Sequence, residues 1–231
     1  MNRLRRLFGR GVALPDAQRA RLAAWQALPD APLSLATADA RLVVVDVEAT
    51  GLDLNRDRLI AIGAITIERL RIDFARSFYV VLRQPQASST ENILVHGIGG
   101  TAQRAGVPAE EALLDFLEFA GKAPLVAFHA GFDDAMLRRA IDTHLGCAFK
   151  PTWIDLAQVA PDVFPGEMRK RRALDDWLAL YGITVFNRHD AVADALATAQ
   201  LFLALHAPAR AAGFTTLERM RWHPEAARWA R

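Results

Sequence analysis

Three short segments hold the side chains most suited to chemistry: Asp46 with Glu48, Asp133 with Asp134, and His189 with Asp194. Asp46 and Glu48 close the run Leu42-Val43-Val44-Val45-Asp46-Val47-Glu48, which is too apolar to have one face in water. Residues two apart on a strand point to one face, so the two carboxylates project together. Like charges on a buried strand repel and lose hydration, and a cation must compensate. A hard divalent ion such as Mg²⁺ prefers such oxygens; the alternative is a pair that ends the strand and faces water. Thr50-Gly51 then turns the chain, exposing backbone N–H groups and a hydroxyl beside the carboxylates, with Leu52 next to that turn.

In Val126-Ala127-Phe128-His129-Ala130-Gly131-Phe132-Asp133-Asp134 a buried strand ends, a small-residue turn follows, and both aspartates fall in the first turn of a helix. They point about 100° apart, and periodicity leaves the choice between them open. One of the two serves as an N-terminal charge favoured by the helix dipole. His189 and Asp194, five apart, would sit about 140° apart on a continuous helix. They share a site only if His189 lies in the loop before the helix. Asp190 is then the fitting N-cap, and Asp194 faces inwards among Ala191, Ala195 and Ala199.

Asp46-Val47-Glu48-Ala49-Thr50-Gly51-Leu52, Phe132-Asp133-x-x-Met136-Leu137 and His189-x-Ala-x-x-Asp194-Ala195-x-x-Thr198-Ala199 resemble, in order and spacing, the three motifs of the DEDDh 3′→5′ exonucleases. That family includes polymerase III proofreading subunits, ribonuclease T and oligoribonuclease. The resemblance covers roughly residues 41–206 and implies an α/β, ribonuclease H-like fold with a mixed five-stranded sheet flanked by helices. It selects Asp133 over Asp134. It implies that Asp46, Glu48, Asp133 and Asp194 hold two divalent ions, Mg²⁺ or Mn²⁺, in a two-metal phosphodiester hydrolysis. His189 becomes the general base, a role that suits a side chain titrating near neutral pH. The backbone of Ala49, Thr50 and Gly51 would hold the terminal 3′-hydroxyl, Leu52 and Phe132 would stack or wedge the last bases, and His96 would lie near the 3′-terminal nucleotide. The implied partner is nucleic acid with a free 3′ end, DNA first and RNA as the alternative. Two positions depart from the family pattern: His129 stands where an asparagine is usual, and Ala49 replaces a frequent threonine.

The elements that must position these groups are legible in outline. Arg41 opens the regular domain with strands over 42–47, 59–68 and 72–82, an antiparallel meander with a polar turn near Arg69 to Arg71. Helices are predicted over 89–97, 108–120, 132–145, 174–181 and 191–206, with extended pieces at 124–128 and 150–154. Gly182 belongs at a helix C′ position. Residues 1–40 read as an N-terminal extension with a helix from Asp16, its N-cap, to Leu28. Residues 207–231 read as a C-terminal extension, with Trp222 and Trp229 covering the domain's own core or docking a polymerase subunit or a second copy.

The composition is that of a folded chain, 52% hydrophobic and 23% charged. No run of about 18 apolar residues marks a membrane span. The single cysteine, Cys147, allows no internal disulfide and reads as a small buried residue at a helix end, and the chain reads as cytoplasmic. Net charge is +2, but Arg3, Arg5, Arg6 and Arg10 crowd the N-terminus and Arg169-Lys170-Arg171-Arg172 form a run. Such patches suit phosphate contacts or form a solvated surface.

Overall fold

The computed structural model describes residues 12–167, 173–185 and 187–223. The N-terminal arginines, the run 169–172 and Trp229 lie outside the described residues.

Strands β1 (Arg41–Ala49), β2 (Leu59–Glu68) and β3 (Arg71–Val81) form the expected meander. Arg69 and Leu70, both with positive φ, make the tight turn between β2 and β3. The chain then passes through α2 (Thr90–His96), α3 (Gly100–Ala105) and α4 (Ala109–Ala120), none of which interrupts the sheet. It returns to the sheet as β4 (Leu125–Ala127) and, after α5 (Gly131–Leu145), as β5 (Trp153–Asp155). Both run parallel to β1, so the described five-stranded sheet is mixed, in the order β3-β2-β1-β4-β5.

Alternation along β1 sorts the two faces. Val43, Val45 and Val47 join the core formed with α4 and α5. Leu42 and Val44 join the opposite core with α6 (Leu156–Val163), α7 (Leu174–Leu180) and α8 (Ala191–Ala211). Asp46 and Glu48 continue the second set, so both carboxylates emerge on the α8 side, as the two-residue period predicts.

Several boundaries move. The first helix, α1, spans Asp16–Gln26 with Pro15 as its N-cap, so Asp16 is a first-turn residue rather than the cap. Its Trp25 is buried, and its Arg21 pairs with Glu111, Asp115 and Glu118 of α4. α3 and α6 were not anticipated; the first is one short polar segment and the second contains Pro161, which reads as a helix breaker. α8 runs past His206 to Ala211 with Pro208 inside it. By length and apolar content α8 meets the requirement for crossing a bilayer, yet it lies across β1 and β2 with Asp194, Thr198 and His206 buried. Residues near both ends meet: Ala36 bridges Thr216, and Leu217 and Glu218 N–H donate to Leu35 and Leu33 carbonyls. The helix α9 (Leu217–Met220) follows, and Trp222 packs against the core beside Gly131. Cys147 is buried just past the end of α5.

One glycine sets a close approach between the sheet and α8. Gly63 pairs with Asp46 across β1 and β2, and a Cβ there would lie 2.2 Å from the Ala191 carbonyl carbon and 2.5 Å from the Val192 nitrogen. Only a residue without a side chain lets the first turn of α8 rest on the sheet beside Asp46. Gly63→Ala should therefore push α8 outwards, destabilise the protein by roughly 1–3 kcal/mol and lower activity. A denaturant melt with unchanged midpoint would contradict this packing.

Candidate active site

Three elements converge where β1 ends. Asp46 and Glu48 come from the strand, Asp194 from the first turn of α8, and Asp133 from the first turn of α5. Carboxylate oxygens of Asp46, Glu48 and Asp194 lie within 4.8 Å of one another. Asp133 and Asp194 are buried, while Asp46 and Glu48 keep a partly open face.

The structure separates the two neighbouring aspartates of α5. β4 ends at Ala127, so β1 has no strand partner on that side at Val47, and Val47 N–H donates instead to Asp133 Oδ1 (3.1 Å). Asp134 turns away and accepts from Trp153 Nε1 (2.7 Å) and Arg138 Nε (2.6 Å). It is a satisfied structural carboxylate.

His189 lies in the turn before α8 with φ +61°, which resolves its awkward spacing from Asp194. Its N–H donates to Asp194 Oδ2 (2.9 Å), leaving the exposed side chain outside the helix. Asp190 caps α8, accepting from Val192 and Ala193 N–H.

The remaining predicted residues lie in the turn after β1, in α2 and at the start of α5. Thr50 donates its hydroxyl to Asp57 (2.8 Å) and accepts from Arg58 N–H, so the Thr50-Gly51 turn is braced from within the loop. Gly51 packs on the same Asp57 carboxylate. Leu52 is 86% exposed at the loop tip. Phe132 is half-buried at the start of α5. His96 is buried: Nδ1 accepts from Ile98 N–H (2.9 Å), which leaves Nε2 to donate to Asn92 Oδ1 (2.8 Å). Asn92 in turn donates to the Ala49 carbonyl (3.1 Å). Both ring nitrogens are thus used within the protein, and His96 reaches the turn through Asn92.

Sequence reasoning missed three groups. Arg188 donates to Asp194 and, through Nε, to Asp175 (2.7 Å), placing one guanidinium against the acidic cluster. Asp155 is buried at the end of β5 and accepts from the N–H groups of His129 (2.9 Å) and Ala157 (3.0 Å). It anchors His129 at φ +63°, in the turn that delivers Asp133. Gly63 is the third. A carboxylate ending a short strand was the available signal for Asp155; an arginine beside a motif histidine signals little by itself.

Arg188 does not neutralise this cluster. Burial, then the nearby Asp133, Asp194 and Glu48, raise the Asp46 carboxyl well above the usual range, with Arg188 opposing. Burial first, then Asp194 and Asp190, push Glu48 up to about 8. Burial also raises Asp133 and Asp155. Each shift favours the protonated carboxyl, and a cation bound at the cluster would oppose it. Clustered hard oxygen donors suit a divalent ion.

The exonuclease family model RNase_T matches residues 43–202. The chain belongs to this exonuclease family. It is 30% identical over 182 residues to the PolC-type DNA polymerase III of Thermotoga maritima, a match covering 79% of this chain. It spans only 13% of that protein's length. It is 29% identical over 167 residues to DNA polymerase III subunit epsilon of Aquifex aeolicus, covering 71% of this chain and 80% of the relative. Its fold is similar to that of E. coli exonuclease I in complex with a dA16 oligonucleotide, with a TM-score of 0.65 at 16% identity. That match covers 75% of this chain and 42% of the other. Exonuclease X in complex with 5′-overhanging duplex DNA matches with a TM-score of 0.60 at 19% identity, covering 78% and 96%. The mixed sheet with flanking helices is the ribonuclease H-like fold of these exonucleases.

The raised carboxyls make stability depend on pH. Glu48 titrates from about 8 in the folded chain against 4.5 otherwise, so the folded state binds extra protons between these values. Metal-free stability should fall as pH rises through that window. Thermal melts in chelator between pH 5 and pH 8 should show a steeper fall for the wild type than for Glu48→Gln. Equal slopes would show that Glu48 does not titrate there.

Proposed function

We propose that the chain is a 3′→5′ exonuclease that releases nucleoside monophosphates from the 3′ end of DNA. The observation that carries this reading is the convergence of Asp46, Glu48 and Asp194 within 4.8 Å, with Asp133 held beside them by the Val47 N–H. When bound by these four carboxylates, two Mg²⁺ or Mn²⁺ ions would supply Lewis-acid polarisation of the phosphate and activation of water.

The chain's own groups do the rest. His189, exposed and outside the helix, accepts the proton of the attacking water. Its backbone N–H is tied to Asp194, which keeps the residue at the edge of the acidic cluster. Ala49, Thr50 and Gly51 present backbone groups to the terminal nucleotide, and that contact restricts cleavage to chain ends. Two braces support this turn: Asp57 from the loop, and His96 through Asn92. Leu52, at the exposed tip, and Phe132 offer apolar surface to the last bases. DNA is favoured because the relatives are a PolC-type DNA polymerase III and a DNA polymerase III epsilon subunit, and the similar structures hold DNA. A polymerase subunit is the protein partner in keeping with the epsilon relative.

Two outcomes are expected on 5′-labelled single-stranded DNA, duplex DNA and RNA with Mn²⁺. The wild type should give a ladder of shortening products on DNA, and Asp46→Ala or Asp133→Ala should abolish it without loss of fold. Full activity in either variant would overturn the site. His189→Ala should retain substrate binding but turn over roughly 10²–10⁴-fold more slowly; an unchanged rate would assign the proton to another group.

A further inference from the structure

Beside the candidate active site, the loop after β1 and the helix α5 enclose a cavity of about 330 Å³ together with the end of β3. Arg56, Arg58, Arg83 and Arg139 line it, with His144 at its far end. Among the described residues that line it, none is acidic and none is Phe, Tyr or Trp. Three of these arginines donate to neutral oxygens rather than to carboxylates. Arg58 contacts the Gln84 side-chain oxygen (3.2 Å) and the Gln86 carbonyl (3.3 Å), Arg83 the Gly106 carbonyl (3.0 Å), and Arg139 the Leu54 carbonyl. Arg56 has only a long contact with Asp53 (3.7 Å), both side chains being largely exposed. Elsewhere Arg21, Arg76, Arg138 and Arg188 are each matched to one or more carboxylates. Asp53 beside Arg56 and Glu110 beside His144 (3.2 Å) are the carboxylates at its rim, and among the described residues Arg58, Arg83 and Arg139 are matched to neutral oxygens alone.

The cavity is joined to the acidic cluster through α5. Asp133, Met136, Ala140 and Thr143 recur at helical spacing along one face, with Asp133 at the carboxylates and the other three lining the cavity. Arg139 lies six residues beyond Asp133, about 9 Å along the helix axis. That is roughly three stacked nucleotides at 3.4 Å each.

We propose that this arginine-lined cavity binds phosphodiester groups of the nucleic acid some nucleotides away from the scissile bond. The inference rests on the nuclease reading above and extends it. Guanidinium forks match phosphate oxygens in paired hydrogen bonds, and such contacts carry no base sequence. With no Phe, Tyr or Trp among the described lining residues and His144 only at its far end, the cavity gives bases little surface to stack on, so the backbone is what it recognises. The phosphates belong either to the scissile strand upstream of its 3′ end or to the complementary strand of a duplex.

The test compares the wild type with a variant carrying Arg56→Gln, Arg58→Gln, Arg83→Gln and Arg139→Gln. Fluorescence anisotropy with labelled single-stranded and duplex oligonucleotides, in Ca²⁺ and in chelator, measures binding independently of turnover. Affinity for at least one substrate should fall at least roughly tenfold, and the slope of log K against log salt should shrink by about 2–3. Loss confined to duplex assigns the cavity to the complementary strand; loss on single strands assigns it to the scissile strand. Hydrolysis of a 20-mer relative to a chromogenic thymidine 5′-phosphodiester should fall in the same variant. Four Arg→Lys replacements should recover most of the salt slope, which a merely structural role would not require, and thermal melts identify any unfolded variant. Unchanged affinity and salt slope on both oligonucleotides in folded protein would overturn the proposal. If wild type hydrolyses neither substrate, the nuclease reading fails, while the binding comparison still decides the cavity.

Discussion

Buried like charge is the constraint on which the rest of the structure depends. Four carboxylates meet at the end of β1 with Arg188 facing them, and the fold raises the proton affinity of Asp46 and Glu48 instead of separating the charges. A protein stable by roughly 5–15 kcal/mol keeps such a cluster only where the surrounding packing over-determines it. That packing is visible here: apolar residues fill both faces of β1 up to Asp46, and Gly63 of the neighbouring β2 admits the first turn of α8 against the sheet. The cluster is suited to a divalent cation, and on the proposed reading that suitability links the fold to phosphodiester chemistry.

Each carboxylate is aimed by a different backbone device. Asp46 and Glu48 take their direction from strand alternation. Asp133 takes its from the Val47 amide, which becomes available because β4 is only three residues long. Asp194 is fixed by the cap at Asp190 and by the amide of His189. His129 and His189 both adopt positive φ where a turn delivers a motif aspartate, an unusual conformation for non-glycine residues that clusters at functional sites. Asp155 restrains the first of these turns and Arg188 ties the second to α7. Displacing α7 would therefore disturb the site without any change in its ligands.

Much of this was legible in the sequence because local rules and tertiary demands agree. The apolar run from Leu42 gave the strand, the two-residue spacing of Asp46 and Glu48 put both carboxylates on one face, and the five-residue offset between His189 and Asp194 called for a turn before α8. The choice between Asp133 and Asp134 was not legible from periodicity, since it depends on which one meets Val47 and which one meets Trp153, both long-range contacts. Gly63 was invisible for the same reason: its importance comes from a helix more than a hundred residues away. α6 and the last turn of α8 were missed because Pro161 and Pro208 read as breakers, although both lie inside helices packed against the sheet. The arginine cavity gathers residues from three separate segments, so no single run announced it.

The most direct test of the central claim is anomalous diffraction from crystals soaked in Mn²⁺ and thymidine 5′-monophosphate. Mn²⁺ peaks bounded by Asp46, Glu48, Asp133 and Asp194, with the nucleotide phosphate against them and its 3′-hydroxyl at the Ala49 to Gly51 backbone, are the result expected. An acidic cluster that stays free of Mn²⁺ at saturating concentration, or a nucleotide bound elsewhere, would contradict the account.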